Sequence, residues 1–373
     1  MIDFRYHLVS LISVFLALAV GIALGAGPLK ETIGDTLTGQ VEQLRQEKDD
    51  LRAQLDDTSG DLADTQAFVD AAGTDLLDGV LADRRVAVIV LGELDEAVRT
   101  AVDDRLAQAG ATVTAHATLT GAWSSPDLRS FRQALAGNLL GYLDPVPPQD
   151  AGLEAELAAA LVQGLTGADP AAPDSLTANA SDLLDVLTSG DDELVTLDAQ
   201  VQTPADAVVV LAVPVAEGGD APEPTPQESV SELTTAQLAV VDAAQEYSEG
   251  MVVADGPGVA GSLTAAVLAD DRLAGRITTV TGTDLVTGQV SVPLALAARI
   301  AGTVGHYGFD GGDDAALPPR VELPPVDRTP QTDDAGTEGS ADAGSAGGTD
   351  GAADTDDTAG AAGRTGSTAG TVR

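Results

Sequence analysis

From Leu8 to Leu29 the chain carries no charge at any of 22 consecutive positions, and the run begins seven residues from the start. At about 1.5 Å per residue it makes a helix of roughly 33 Å, enough to cross a hydrocarbon core of about 30 Å. The run predicts an uncleaved membrane-spanning anchor over residues 1–30. A secretory signal is the competing reading, but its apolar segment is only about 7–15 residues long. Ala23-Leu24-Gly25 is also a poor small-x-small cleavage site. Arg5 and the α-amino group on the short side face Lys30, Glu31 and Asp35 on the long side. The positive charge count slightly favours a cytoplasmic N-terminus, and the seven-residue tail, too short to be a domain, leaves the bulk of the chain as the exported part.

The remainder reads as soluble. There are 59 acidic residues against 18 basic ones, a net charge of −41. A phosphate backbone needs a basic face to displace its counterions, so nucleic acid is excluded as a partner. Cysteine is absent, which removes disulfides, thiolate nucleophiles and soft thiolate ligands together.

Two features predict a homodimer. Ala17, Gly21 and Gly25 lie on one face of the apolar helix, with Ala19, Ala23 and Gly27 beside them, and small residues at this spacing let two helices approach closely. Over 31–72 the chain reads as a coiled coil. Val41, Lys48, Leu55, Leu62 and Val69 fall at heptad a, and Leu37, Leu44, Leu51, Thr58 and Thr65 at d. Glu47 at g and Arg52 at the next e have the spacing of an interchain ion pair, and Lys48 is a polar residue of the kind that sets register. Thr58, Gly60 and Thr65 weaken the seam, and the alternative is a single amphipathic helix folded back on the globular part.

From 84 to 308 apolar runs alternate with helical patterns. Strands are expected at Arg85–Leu91, Ala111–Ala117, Ala207–Val213, Met251–Ala254 and Ile277–Val280. Helices are expected at Asp95–Ala109, Leu128–Leu143, Leu153–Leu165, Ser181–Leu187, Glu228–Glu246, from near Gly261, and from Gly288 to Thr303. Strands alternating with helices give a mainly parallel, Rossmann-like α/β domain covered on both faces. Those 225 residues suffice for one core, or for two subdomains divided near Asp144–Gln149. Beyond Phe309 large apolar residues all but vanish, and 309–373 is expected to be a disordered acidic tail.

The chemistry-bearing patterns are sparse. Gly256-Pro257-Gly258-Val259-Ala260-Gly261 has the spacing of a dinucleotide turn, with Asp284 beyond it, but also a proline inside the turn and a Gly/Ala-rich background. It reads as a plain strand-to-helix turn. The first β-α turn, Leu91-Gly92-Glu93-Leu94, puts a carboxylate where a phosphate would sit. Asp103-Asp104, Asp191-Asp192 and Asp270-Asp271 are adjacent pairs whose members point apart on a helix. Outside the membrane boundary only His116 and His306 remain as histidines; they are read as a core or edge residue and a helix C-terminal cap, a shared metal site being the alternative. No catalytic residue, cofactor site or metal site is assigned.

His7-Leu8-Val9-Ser10-Leu11, then Phe15 to Gly25, leading directly into a coiled coil, resembles the opening of the mycobacterial copper transport protein B family of actinobacteria. The last helix is similar to that family too, with Gly288-Gln289-Val290, Leu294 to Ala297 and then Gly305-His306-Tyr307-Gly308. The resemblance covers about 1–308 and implies copper homeostasis or efflux at the cell envelope. Residue chemistry adds a constraint: Cu(I) prefers sulfur ligands, and this chain has only Met1 and Met251. The other reading is a dimeric coiled-coil scaffold that recruits envelope enzymes or division proteins.

Overall fold

The computed structural model describes residues 4–26, 28–212, 227–259, 261–310 and 312–331, without side-chain detail at 26–38 and 227–232. The chain opens with two helices, α1 (Phe4–Ala26) and the 50-residue α2 (Pro28–Leu77). The alternating part then runs β1 (Arg85–Leu91), α3 (Glu96–Gln108), β2 (Thr112–Leu119), α4 (Arg129–Leu139) and α5 (Leu153–Thr166). A small hairpin, β3 (Ala168–Asp169) with β4 (Ala172–Leu176), precedes α6 (Ala178–Leu187), β5 (Val195–Leu197) and β6 (Ala207–Ala212). The series closes with α7 (Gln227–Glu246), β7 (Met251–Ala254), α8 (Leu263–Leu268), α9 (Asp271–Ala274), β8 (Thr278–Val280), α10 (Val286–Ile300) and β9 (His306–Tyr307).

Seven strands form one open sheet in the order β5-β2-β1-β6-β7-β8-β9. Every pairing is parallel except β5 on β2. Numbered by appearance within this sheet, the order is 3-2-1-4-5-6-7, the Rossmann arrangement with its third strand reversed and one strand added. The unbroken apolar runs follow from burial on both faces. Ala87, Ile89 and Leu91 of β1 face the layer of α4 to α9, whereas Val86, Val88 and Val90 face α3, α10 and the end of α2. The short strands β3, β4, β5 and β9 add to the expected set. Asp144–Gln149 is not a division: Gln163 of α5 accepts from Asp144 N–H and donates to the Pro145 carbonyl, and the described residues through Gln331 belong to one compact unit.

The long helix enters this core rather than ending before it. Leu77, Val80 and Leu81 are buried with Val86, Leu106 and Val290, and each fully buried leucine stabilises by about 1.5–3 kcal/mol. Gly73 permits the approach, because a Cβ there would lie 2.8 Å from Val290 Cγ2. Arg105 of α3 reaches back to pair with Asp70.

The expectation of disorder from Phe309 fails for 312–331, which form a strap over the domain; residues 332–373 lie outside the described set. The strap begins beside β9, where Gly308 N–H donates to Ala315 O at 3.1 Å and Asp314 N–H to His306 O at 2.8 Å. Arg320 then donates to the Leu76 and Asp78 carbonyls at 3.1 and 2.8 Å. Arg84, itself paired with Glu249, holds Pro324 O at 3.0 Å. Arg328 holds Asp83 O and Asp206, and Gln331 N–H reaches Pro170 O. Composition gives little sign of the strap, because arginine-to-carbonyl bonds hold it alongside modest apolar contact from Leu323. Arg328→Ala should destabilise the full chain by about 1–3 kcal/mol, since hydrogen bonds to charged groups fall in that range. Urea unfolding in detergent tests this; an unchanged midpoint would show that the strap only rests on the surface.

Candidate functional site

The residues expected at a dimer interface lie on two helices. Ala17, Gly21 and Gly25 are exposed along α1, with no other atom near the two glycines. This helix supplies a 22-residue apolar span, Phe4–Gly25, none of it buried. Val41, Leu44, Leu51, Leu55 and Leu62 are exposed large apolar residues on α2, and Glu47, Lys48 and Arg52 are exposed among them. The helix does not fold back: residues 39–65 are exposed throughout, and contact with the domain begins around Gln66 and Val69. Glu47 accepts from Gln43 of its own helix at 2.9 Å, while Arg52 has only a loose approach to Asp49 at 4.0 Å.

Within the α/β domain the two histidines are far apart. His116 sits on β2 and His306 on β9, with β1, β6, β7 and β8 between them. Five strand spacings of about 4.8 Å put roughly 24 Å between them, which rules out a shared metal. His116 Nε2 contacts Asp103 Oδ2 at 2.9 Å, and Asp198, paired with Arg99, lies 4.0 Å from Nδ1. His306 Nε2 faces the Ala274 carbonyl at 3.2 Å, so it carries the proton, and Nδ1 accepts from Thr279 at 2.9 Å. It does cap a helix end, that of α9, but from a strand.

The glycine-rich turn follows β7. Here the structure shows a residue that the motif search passed over. Asp255 is fully buried at the strand end; Oδ1 accepts from Gly256 N–H at 2.8 Å, and Oδ2 from the Thr264 amide and hydroxyl at 3.3 and 3.4 Å. Its carboxylate closes the turn onto α8. Gly258 N–H, a donor that would face a phosphate in a dinucleotide site, is taken by Asp310 at 2.9 Å. A Cβ at 258 would collide with that carboxylate. The turn is therefore internally satisfied. An aspartate ending an apolar strand directly before Gly-Pro-Gly was the available signal.

Of the acid pairs, Asp270 caps α9 by accepting from Arg272 and Leu273 amides, and Asp103 serves His116. Doubly wound sheets bind ligands beyond the carboxyl ends of their strands. There a cleft of about 670 Å³ opens between β1 and β2, with Gly92, Glu93, Glu96, Arg99 and Thr120 in its wall. Arg99 is committed to Asp198 and Glu96, so the wall offers carboxylates rather than a phosphate cradle. Among the described residues no group of three His, Asp or Glu side chains is placed to hold a metal.

The apolar helix, the exposed long helix and the doubly wound domain follow one another across a sequence whose residues 1–318 match the model of the copper transport outer membrane protein, MctB. The chain belongs to the MctB family. The copper transporter MctB of Mycobacterium tuberculosis and that of Mycobacterium bovis are each 29% identical to it over 318 residues, spanning 84% of this chain and 98% of theirs. Membership supports a copper-related role, and together with the apolar helix it points to membrane association. The MctB match ends inside the strap, at Pro318.

Asp255 also makes a pH prediction. Burial pushes its carboxyl above the ordinary 3.8 despite the donors around it. Its contribution to stability is thus fullest below 3.8 and is lost as pH rises through the folded-state value. Asp255→Asn removes that titration, so the melting temperature of the native chain relative to the variant should fall from acid to neutral pH. A pH-independent difference would contradict the assigned burial.

Proposed function

We propose that this MctB-family chain is a single-pass, membrane-anchored envelope protein that acts in copper homeostasis without a tight copper site or an enzymatic centre of its own. The observation that carries the reading is the path of the chain: an apolar helix, then α2 running exposed over residues 39–65, then the same helix ending inside the α/β core. That exposed stretch alone is about 40 Å of helix between the apolar segment and the domain. This is the build of a stalked scaffold, and recruitment of envelope proteins is the activity it fits.

The ligand inventory supports the second part of the proposal. Met251 is wholly buried in β7, and the two domain histidines have protein partners on opposite sides of the sheet. Without thiolates, Cu(I) has no soft cage to enter. A copper phenotype would arise through partners or permeability. The purified chain should lose Cu(I) to a competing chelator as weak surface sites do, and His116→Ala with His306→Ala should leave copper tolerance unchanged. A stoichiometric Cu(I) site that disappears in the double variant would refute this.

The N-terminus is assigned to the cytoplasm and α2 with its domain to the outside. A reporter inserted after Ser59 should be active only in the extracytoplasmic space; cytoplasmic activity would reverse the orientation. The seam on α2 supports a parallel homodimer, with α1 adding its small-residue faces inside the membrane. Leu51→Cys should crosslink to its copy under mild oxidation, and Leu44→Asp with Leu55→Asp should abolish that crosslink.

A further inference from the structure

The seam expected to pair with a second copy and the surface that docks α2 on its own domain are one and the same stripe. At 100° per residue Leu44, Leu51, Leu62, Val69, Gly73 and Leu77 fall within a sector of about 80°. Up to Leu62 this sector faces solvent; from Val69 onward it turns into the domain, and by Leu77 it is buried under α10. The helix does not change phase between the two uses.

We infer that two copies pair through α2 only as far as about Leu62 and then fork, each helix leaving the pair to carry its own α/β domain outward. The inference rests on the dimeric reading above and adds where pairing must end. A second α2 cannot occupy the stripe beyond Val69, because α10 already does: Gly73 lies against Val290, and Asp70 beside the stripe is paired with Arg105. Each domain has a radius of gyration of about 18 Å for some 250 residues, so two of them cannot share the space in front of one stripe.

The chemistry of the intervening turn agrees with a parting there. Thr58 and Thr65 occupy d positions, and their hydroxyls donate back to the Gln54 and Asp61 carbonyls at 2.7 and 2.8 Å. Such back-bonding weakens and bends a helix, and Gly60 between them adds freedom. Below the fork the occupant is marked as a copy of this chain by charge. Glu47 has no cation of its own helix on it, and Arg52 keeps only its 4.0 Å approach to Asp49, leaving both for the g-to-e pairing of a parallel partner.

The test uses the full chain in membranes. Single cysteines at Leu51, Leu62 and Val69 are oxidised mildly, and spin labels at Asp56→Cys and Asp75→Cys, both on exposed positions, report separations. The fork predicts disulfide-linked dimers for Leu51→Cys and Leu62→Cys and loss of the dimer band for Val69→Cys, with the Asp75 labels farther apart than the Asp56 labels. Crosslinking at Val69 together with equal label separations would overturn the fork while leaving the dimer standing. Failure of Leu51→Cys to crosslink would remove the dimer itself, and the fork with it.

Discussion

The docking of the last turns of α2 against α10 is the contact on which the arrangement of this protein depends. Leu77, Val80 and Leu81 complete one of the two apolar layers that sandwich the sheet. The long helix is therefore structural wall as well as stalk, and its direction relative to the strands is set by side-chain packing rather than by a flexible linker. Gly73 and the Asp70–Arg105 pair fix how closely and at what rotation it approaches.

Polar chemistry in the domain is consumed by architecture. The buried Asp255 closes a turn and starts a short helix, His306 finishes another, and Arg84, Arg320 and Arg328 bind main-chain carbonyls. In each case a group of a type often seen in catalysis or coordination has its hydrogen-bonding capacity taken by backbone and by neighbouring side chains. On these grounds we propose that the family's copper-related role is carried by surfaces and partners, in a chain without cysteine.

Much of the fold was legible because strands buried on both faces must be apolar at every position: Arg85–Leu91 and Met251–Ala254 stand in the structure with the boundaries their runs predicted. Of the shortest strands only β8 was legible, within Ile277–Val280; β3, β5 and β9 were not, since β5 and β9 contain Thr and His and owe their place to the neighbours they pair with. The strap escaped notice for a related reason, because composition measures what a segment can bury and is blind to three arginines reaching for carbonyls. For the site, heptad spacing identified the exposed apolar positions of α2. What spacing alone did not disclose is that the same stripe continues into the domain, since only tertiary packing distinguishes Leu62 from Leu77.

The strap has a mechanical consequence. Arg320 grips the carbonyls at the end of α2, Arg328 grips Asp83 just before β1, and Arg84 beside it holds Pro324 of the strap, so the helix that leads toward the apolar segment is fastened to the C-terminal side of the domain as well as to the sheet. Tension arriving along α2 is loaded in parallel across those clamps and the α10 packing. Pull on the stalk therefore reaches the C-terminal side of the domain as well as its sheet.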